Sequence, residues 1–171
     1  AFAAFLAAPQ ITLGFEPTSP VEVVVHAGAG SGVDLFARVV GSASEKEKLQ
    51  KSAFRVVPKT GGNGAIAMAY LAEKAGSGHT IGVFTTVWLG TPLTMAEAKV
   101  SLKDLNPIAI LVTDPAVAVV KTDSVYKSIS DFVDAAKKAP GKLLQAGGSS
   151  TSVDNLTRLL LQKATGASWT L

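Results

Sequence analysis

Residues 21–40, VEVVVHAGAGSGVDLFARVV, limit what this chain can become more than any other stretch. Val21, Val23, Val24 and Val25 form a β-branched run of the length of a buried strand, and small residues follow at once. From Val33 the period changes: Val33, Phe36, Ala37 and Val40 fall at i, i+3, i+4 and i+7, one apolar face of a helix. The stretch therefore predicts strand, glycine loop, helix. In such a unit the first helical turn leaves backbone N–H groups unpaired, and the helix dipole favours negative charge there. The loop Ala29, Gly30, Ser31, Gly32, Val33, Asp34 reads as an anion site, for a phosphate or a carboxylate. Its other reading is a tight turn whose glycines serve only to permit positive φ.

The loop does not fit the nucleotide patterns. Gly-x-Gly-x-x-Gly ends on Val33 counting from Gly28, and on Leu35 counting from Gly30. The next strand, Phe54 to Val57, is followed by Pro58 and Lys59 rather than by an acid for a ribose. No Gly-Lys-Ser/Thr follows the loop, and Ser31 lacks the spaced glycines of a nucleophile elbow, since positions 29 and 33 are Ala and Val.

The order of elements predicts an α/β fold. The first helix is expected from Val33 to about Lys51, with Gly41-Ser42 as a weak point. Phe54 to Val57 follows as a second strand, a helix carrying Ala65, Met68, Ala69 and Ala72 as its successor, and Thr80 to Thr86 as a third strand. Strands separated by helices imply right-handed crossovers and a parallel sheet. Ligands of such sheets sit beyond the carboxyl ends of the strands. That edge should gather the first loop, the turn at Asn63, and Thr85, Thr86 and Trp88; Trp88 reads either as a wall of the site or as packing. From Leu89 to Ser101 periodicity is weak, with a helical turn expected at Thr94 to Lys99.

After Asn106-Pro107 two apolar runs, Ile108 to Val112 and Ala116 to Val120, read as strands. Ser130 offers an N-cap for a helix carrying Phe132, Val133, Ala135 and Ala136. Lys142 to Gln145 reads as a strand. Gly147 to Ser152 then leads into a helix with Val153, Leu156, Leu160 and Ala164 on one face. The strand, Gly-hydroxyl loop, helix order of the first unit is thus repeated, with Ser149, Ser150 and Thr151 as candidate ligand contacts. One helix terminus contributes about 0.3 to 1 kcal/mol and one hydrogen bond to a charge about 1.5 to 3, whereas micromolar binding needs roughly 8. A single loop is insufficient; two loops facing each other across a cleft are not.

Composition excludes several classes. The net charge of +3 is small, and Lys46, Lys48 and Lys51 alternate with Glu45 and Glu47, a solvated helix face rather than a nucleic-acid track. The chain has no cysteine, so it holds neither disulfide nor thiolate metal site. His26 and His79 are the only histidines, and neither stands at i, i+4 from another ligand type, which argues against a metal cofactor. His26 ends a strand, as a ligand contact or a structural histidine; His79 reads as structural. Asp34 and Asp154 occupy first turns of helices, where carboxylates cap N–H groups. No nucleophile–base pair is evident, so the enzyme reading has little support and no cofactor is expected. The competing function class is a nucleotide- or phosphate-binding α/β enzyme built on the glycine loop alone.

Several of these motifs resemble one family. The solute-binding proteins of tripartite tricarboxylate transporters, the TctC or Bug family, carry a strand after a Pro, a loop of the type Ala-Pro-Gly-Gly-Gly-Thr-Asp, and an Ala-Arg pair at the helix start. Here Pro20 precedes the strand, Gly28 to Asp34 fills the loop, and Ala37-Arg38 follows. Gly61-Gly62-Asn63-Gly64, Gly78-His79-Thr80 and Pro140-Gly141-Lys142-Leu143 with Ala146 to Ser150 match in order. Ala29, Ser31 and Val33 differ from the usual loop.

The resemblance, from about Phe15 to Leu171, implies a type II periplasmic-binding-protein-like α/β fold of two lobes with mostly parallel sheets. It implies a monomeric periplasmic receptor that is not an enzyme, taking a di- or tricarboxylate or aromatic acid and delivering it to membrane transporter subunits. It further implies a first lobe at 15–107, and crossover strands with the start of a second lobe at 108–171. A family member is roughly twice this length, so the expectation is a partial second lobe with apolar sheet edges left open. Residues 1–14, apolar, alanine-rich and uncharged, read as a signal-peptide remnant or a tail.

Overall fold

The computed structural model describes residues 15–171; the signal-peptide remnant or tail expected at residues 1–14 lies outside them. A three-stranded parallel sheet is built from β1 (Val21–Val25), β2 (Phe54–Pro58) and β3 (Thr80–Gly82), in the order β2-β1-β3. Its register runs from Val21 opposite Phe54 to Val25 opposite Pro58, and from Glu22 opposite Thr80 to Val24 opposite Gly82. The valine run is central because both faces of β1 are covered. Val23 and Val25 pack with Ala37, Val33 and Phe54 beneath α1 (Gly32–Lys46). Val24, of opposite parity, packs with Ala67, Met68 and Trp88 from α2 (Ala65–Glu73) and α3 (Val87–Thr94). Burying a valine fully contributes about 1.5 to 3 kcal/mol, which explains why this strand tolerates one polar residue only. That residue, Glu22, accepts hydrogen bonds from the Tyr70 hydroxyl at 2.7 Å and from Arg55 at 2.8 Å.

The expected weak point in α1 is absent. The helix runs through Gly41 and Ser42, and a Cβ at position 41 would stand 3.3 Å from the Phe54 Cβ, so this glycine serves close packing of helix on strand. α1 ends at Lys46, short of Lys51. β3 is also shorter than expected, ending at Gly82 although the Val83 N–H still donates to Val24 at 2.9 Å. The chain then turns into α3 at Val87, so the helix expected at Thr94 to Lys99 lies earlier.

From Asn106 to Lys121 no strand forms, and Ile108, Ile110, Val117 and Val119 are exposed. The two runs have strand composition, but among the described residues no strand lies beside them to pair their backbone. α4 (Ile129–Lys138) is capped by Ser128 rather than Ser130: the Asp131 N–H donates to Ser128 Oγ, and the Asp131 carboxylate accepts from the Ser128 N–H. The strand expected at Lys142 to Gln145 is reduced to one parallel bridge between Leu144 and Thr170.

α5 (Val153–Thr165) turns a different face inward than its apolar periodicity predicts. Asn155 is buried, and Arg158 and Gln162 donate to the Trp169 carbonyl at 3.0 and 2.6 Å. Leu156, Leu159 and Leu160 are exposed. Polar bonding fixes the helix where the apolar face has no neighbour among the described residues. A second core, of Val133, Ala136, Ala167 and Trp169, joins α4 to the chain after α5.

Candidate functional site

All three strands are parallel, so their carboxyl ends lie at one edge, and there the end of β1, the Asn63 turn and the segment from Thr85 to Thr91 meet. His26 leaves β1 with its Nε2 3.4 Å from Thr85 Oγ1, and its ring meets Trp88 edge to face at 6.0 Å. Gly64, at the end of the 3₁₀ turn Gly62–Gly64, has φ 91° and lies so close to the indole that a Cβ there would meet Trp88 Cδ1 and Nε1 at 2.9 Å. Trp88 itself is 2% exposed, in the core beneath the edge. Thr86 is exposed at the start of α3.

The first loop is closed from within. Asp34, 1% exposed, accepts from the Gly30 N–H at 2.9 Å and takes both Nε and Nη2 of Arg38 at 3.0 Å. The Arg38 hydrogen bond first, and the Gly30 N–H second, hold its carboxyl below the usual carboxylate range. Ser31 is the N-cap, its Oγ accepting from the Asp34 N–H at 3.4 Å. The Gly30 and Asp34 amides are thereby used; among the described residues, those of Gly32 and Val33 have no acceptor. Ser31→Ala should lower stability by about 1 kcal/mol through the lost cap. A urea midpoint equal to that of the parent would contradict this role.

The second loop repeats the device. The Gly148 N–H donates to Asp154 Oδ2 at 2.7 Å, so a first-turn aspartate again ties down a glycine amide. Asn155 Nδ2 donates to the Ser150 carbonyl at 2.6 Å, and Arg158 Nε and Nη2 hold Asn155 Oδ1 at 3.0 and 2.8 Å. Ser149 and Thr151 hydroxyls lie 3.2 Å apart, and Ser150 is exposed. Thr151 reaches α3, close to Gly90. No hydrogen bond joins the loop at 30–33 to the loop at 149–151 among the described residues, and these residues contain no group of three His, Asp or Glu able to hold a metal ion. The Asp34–Arg38 spacing is legible as an i, i+4 pair; the Asn155–Arg158 brace carries no sequence signal beyond its i, i+3 spacing.

These loops occupy a chain with recognisable relatives. Residues 36–170 match the family described as tripartite tricarboxylate transporter family receptor, TctC. The chain belongs to this TctC receptor family. It is 34% identical over 126 residues to a UPF0065 protein of Bordetella bronchiseptica, covering 71% of this chain and 36% of that protein. It is 32% identical over 151 residues to a UPF0065 protein from the tcbD-tcbE intergenic region of Pseudomonas sp. strain P51, covering 86% and 44%. Among solved structures, a TctC solute-binding protein from Polaromonas, without ligand, superposes with TM-score 0.66 at 26% identity, over 91% of this chain and 52% of that one. An R. palustris protein described with adipate shares the fold at TM-score 0.64 and 22% identity, over 90% and 52%. This TctC chain thus spans about half the length, or less, of the relatives it matches.

Burial holds His26 below the ordinary histidine value. The folded protein resists the proton that the unfolded chain accepts, so the stability His26 contributes is complete above the unfolded value of about 6.5. It falls as pH drops through that value toward the lower folded one. Melts between about pH 7.5 and 5 should show a falling Tm, and His26→Gln should flatten part of the fall. Identical slopes for parent and variant would contradict this.

Proposed function

We propose that this chain supplies the ligand-gripping part of a periplasmic TctC receptor, which captures a small carboxylate between two lobes and delivers it to a tripartite membrane transporter. The observation that carries the reading is the pair of Gly-hydroxyl loops, each tied down by an aspartate from its own helix. In the first, the Gly32 and Val33 amides remain for a ligand; in the second, the exposed Ser150 stands beside the Ser149–Thr151 hydroxyl pair. An aspartate that ties the loop to itself does not repel an anion as a free one would, because its charge is matched by Arg38 in the first loop. Residues 15–107 serve as one lobe, and 108–171 as the crossover and part of the other. The exposed runs Ile108 to Val112 and Ala116 to Val120 pair with further strands in a complete receptor. The receptor acts as a monomer, without cofactor and without catalysis. No helix among the described residues is long and apolar enough to cross a membrane.

A dicarboxylate is the first candidate, since a protein of the same fold is described with adipate. Calorimetry against adipate, tricarboxylates, aromatic acids and a nucleotide panel tests the reading. Micromolar heat from a carboxylate and none from nucleotides is expected. Nucleotide binding with silence toward every carboxylate would favour the phosphate-binding alternative. Ser150→Ala should weaken carboxylate binding by about 1 to 2 kcal/mol, the scale of a hydrogen bond lost from a charged acceptor.

A further inference from the structure

Gly90 lies in the middle of α3, where glycine is a poor helix former, and its φ is not positive, so backbone conformation gives no reason for it. Space does. A Cβ at position 90 would stand 3.0 Å from the Thr151 Cβ, 3.2 Å from the Thr151 carbonyl oxygen and 3.4 Å from its Cα. Two of these three atoms are backbone and cannot swing aside by changing a rotamer. Thr151 is correspondingly buried, at 8% exposure, while its neighbour Ser150 is open to solvent.

The surface that Thr151 meets is itself fixed. Thr91, fully buried, donates its hydroxyl to the Asn63 carbonyl at 2.7 Å, and Trp88 anchors the same helix in the core. The Gly90 N–H donates to the Thr86 carbonyl at 3.2 Å, so the contact lies one turn from the helix start at the strand edge. A loop resting on Gly90 therefore places Thr151 against α3 about one helical turn from Thr86.

We propose that the Gly90 face of α3 is the seat on which the second loop closes, and that the missing side chain at 90 sets how closely the two halves of the site approach. This rests on the carboxylate-receptor reading. Gly90 is then a positioning residue: it fixes the spacing between donors drawn from distant parts of the chain. A methyl group at 90 displaces Thr151 and weakens every bond that depends on both loops at once.

Two measurements decide it. The chain has no native cysteine, so a paired Gly90→Cys and Thr151→Cys variant reports the contact without a ligand. The Cβ separation of 3.0 Å is within a small shift of the ~3.5–4.5 Å that a disulfide spans, and thiol titration after mild oxidation should show near-complete cross-linking. Leu89→Cys with Thr151→Cys, one residue around the helix, should cross-link much less. In calorimetry with adipate, Gly90→Ala should raise Kd about tenfold and Gly90→Val further, with circular dichroism unchanged. Equal cross-linking of both pairs, or a Gly90→Ala Kd like that of the parent, would overturn the proposal. If the parent binds no carboxylate while the Gly90 pair alone cross-links, the seat stands and the receptor reading falls.

Discussion

Trp88→Ala is expected to cost about 3 to 5 kcal/mol of stability, a large part of the roughly 5 to 15 that holds a domain folded. Trp88 is 2% exposed and packs with Val24, Ala67 and Met68, with His26 at 6.0 Å and Phe84 at 6.2 Å edge to face. Gly64 and Gly82 both lie against its ring, so the cavity left by alanine cannot be filled by nearby side chains at those positions. Urea denaturation should show the midpoint falling steeply, and Trp88→Phe should lose less than half as much. A role as a wall of the binding site would give the opposite pattern, with an unchanged midpoint and a weakened ligand.

Asp34→Ala should lower Tm by roughly 5 to 10 °C, the scale of a several-bonded buried group in a chain of this size. One carboxylate accepts from the Gly30 N–H and from Nε and Nη2 of the Arg38 fork, and its removal leaves the loop amide unpaired. Arg38→Ala should do less, because Arg38 is half-exposed and water replaces it. The pH dependence follows from the lowered carboxyl value: the contribution is complete above the unfolded value of about 3.9 and is lost as pH falls through the lower folded one. Hydrogen exchange at the Gly30 amide should accelerate in Asp34→Ala. Protection like that of the parent would show that Asp34 does not hold the loop.

The sequence made the sheet legible because β1 carries its own evidence. A valine run buried on both faces, then a change of period at Val33, fixes strand, loop and helix without knowledge of anything distant. The same reasoning failed where burial depends on partners elsewhere. Leu156 and Leu160 read as an inward face, yet Asn155, Arg158 and Gln162 hold α5 because the Trp169 carbonyl and the Ser150 carbonyl lie on that side. Ile108 to Val112 has strand composition but no neighbour to pair with among the described residues. Of the candidate site, the two loops and the capping aspartates were legible from local spacing. Which loop amides those aspartates occupy was not, nor the place of Thr151 against Gly90, since both depend on how the backbone turns in three dimensions.

The claim that two loops share one carboxylate is tested most directly by amide chemical shifts during titration with adipate, or with whichever carboxylate calorimetry finds to bind. The account predicts that Gly32, Val33 and Ser149 to Ser152 shift together, saturating at one common Kd. Shifts confined to one loop, or centred on residues away from the carboxyl edge of the sheet, would contradict it.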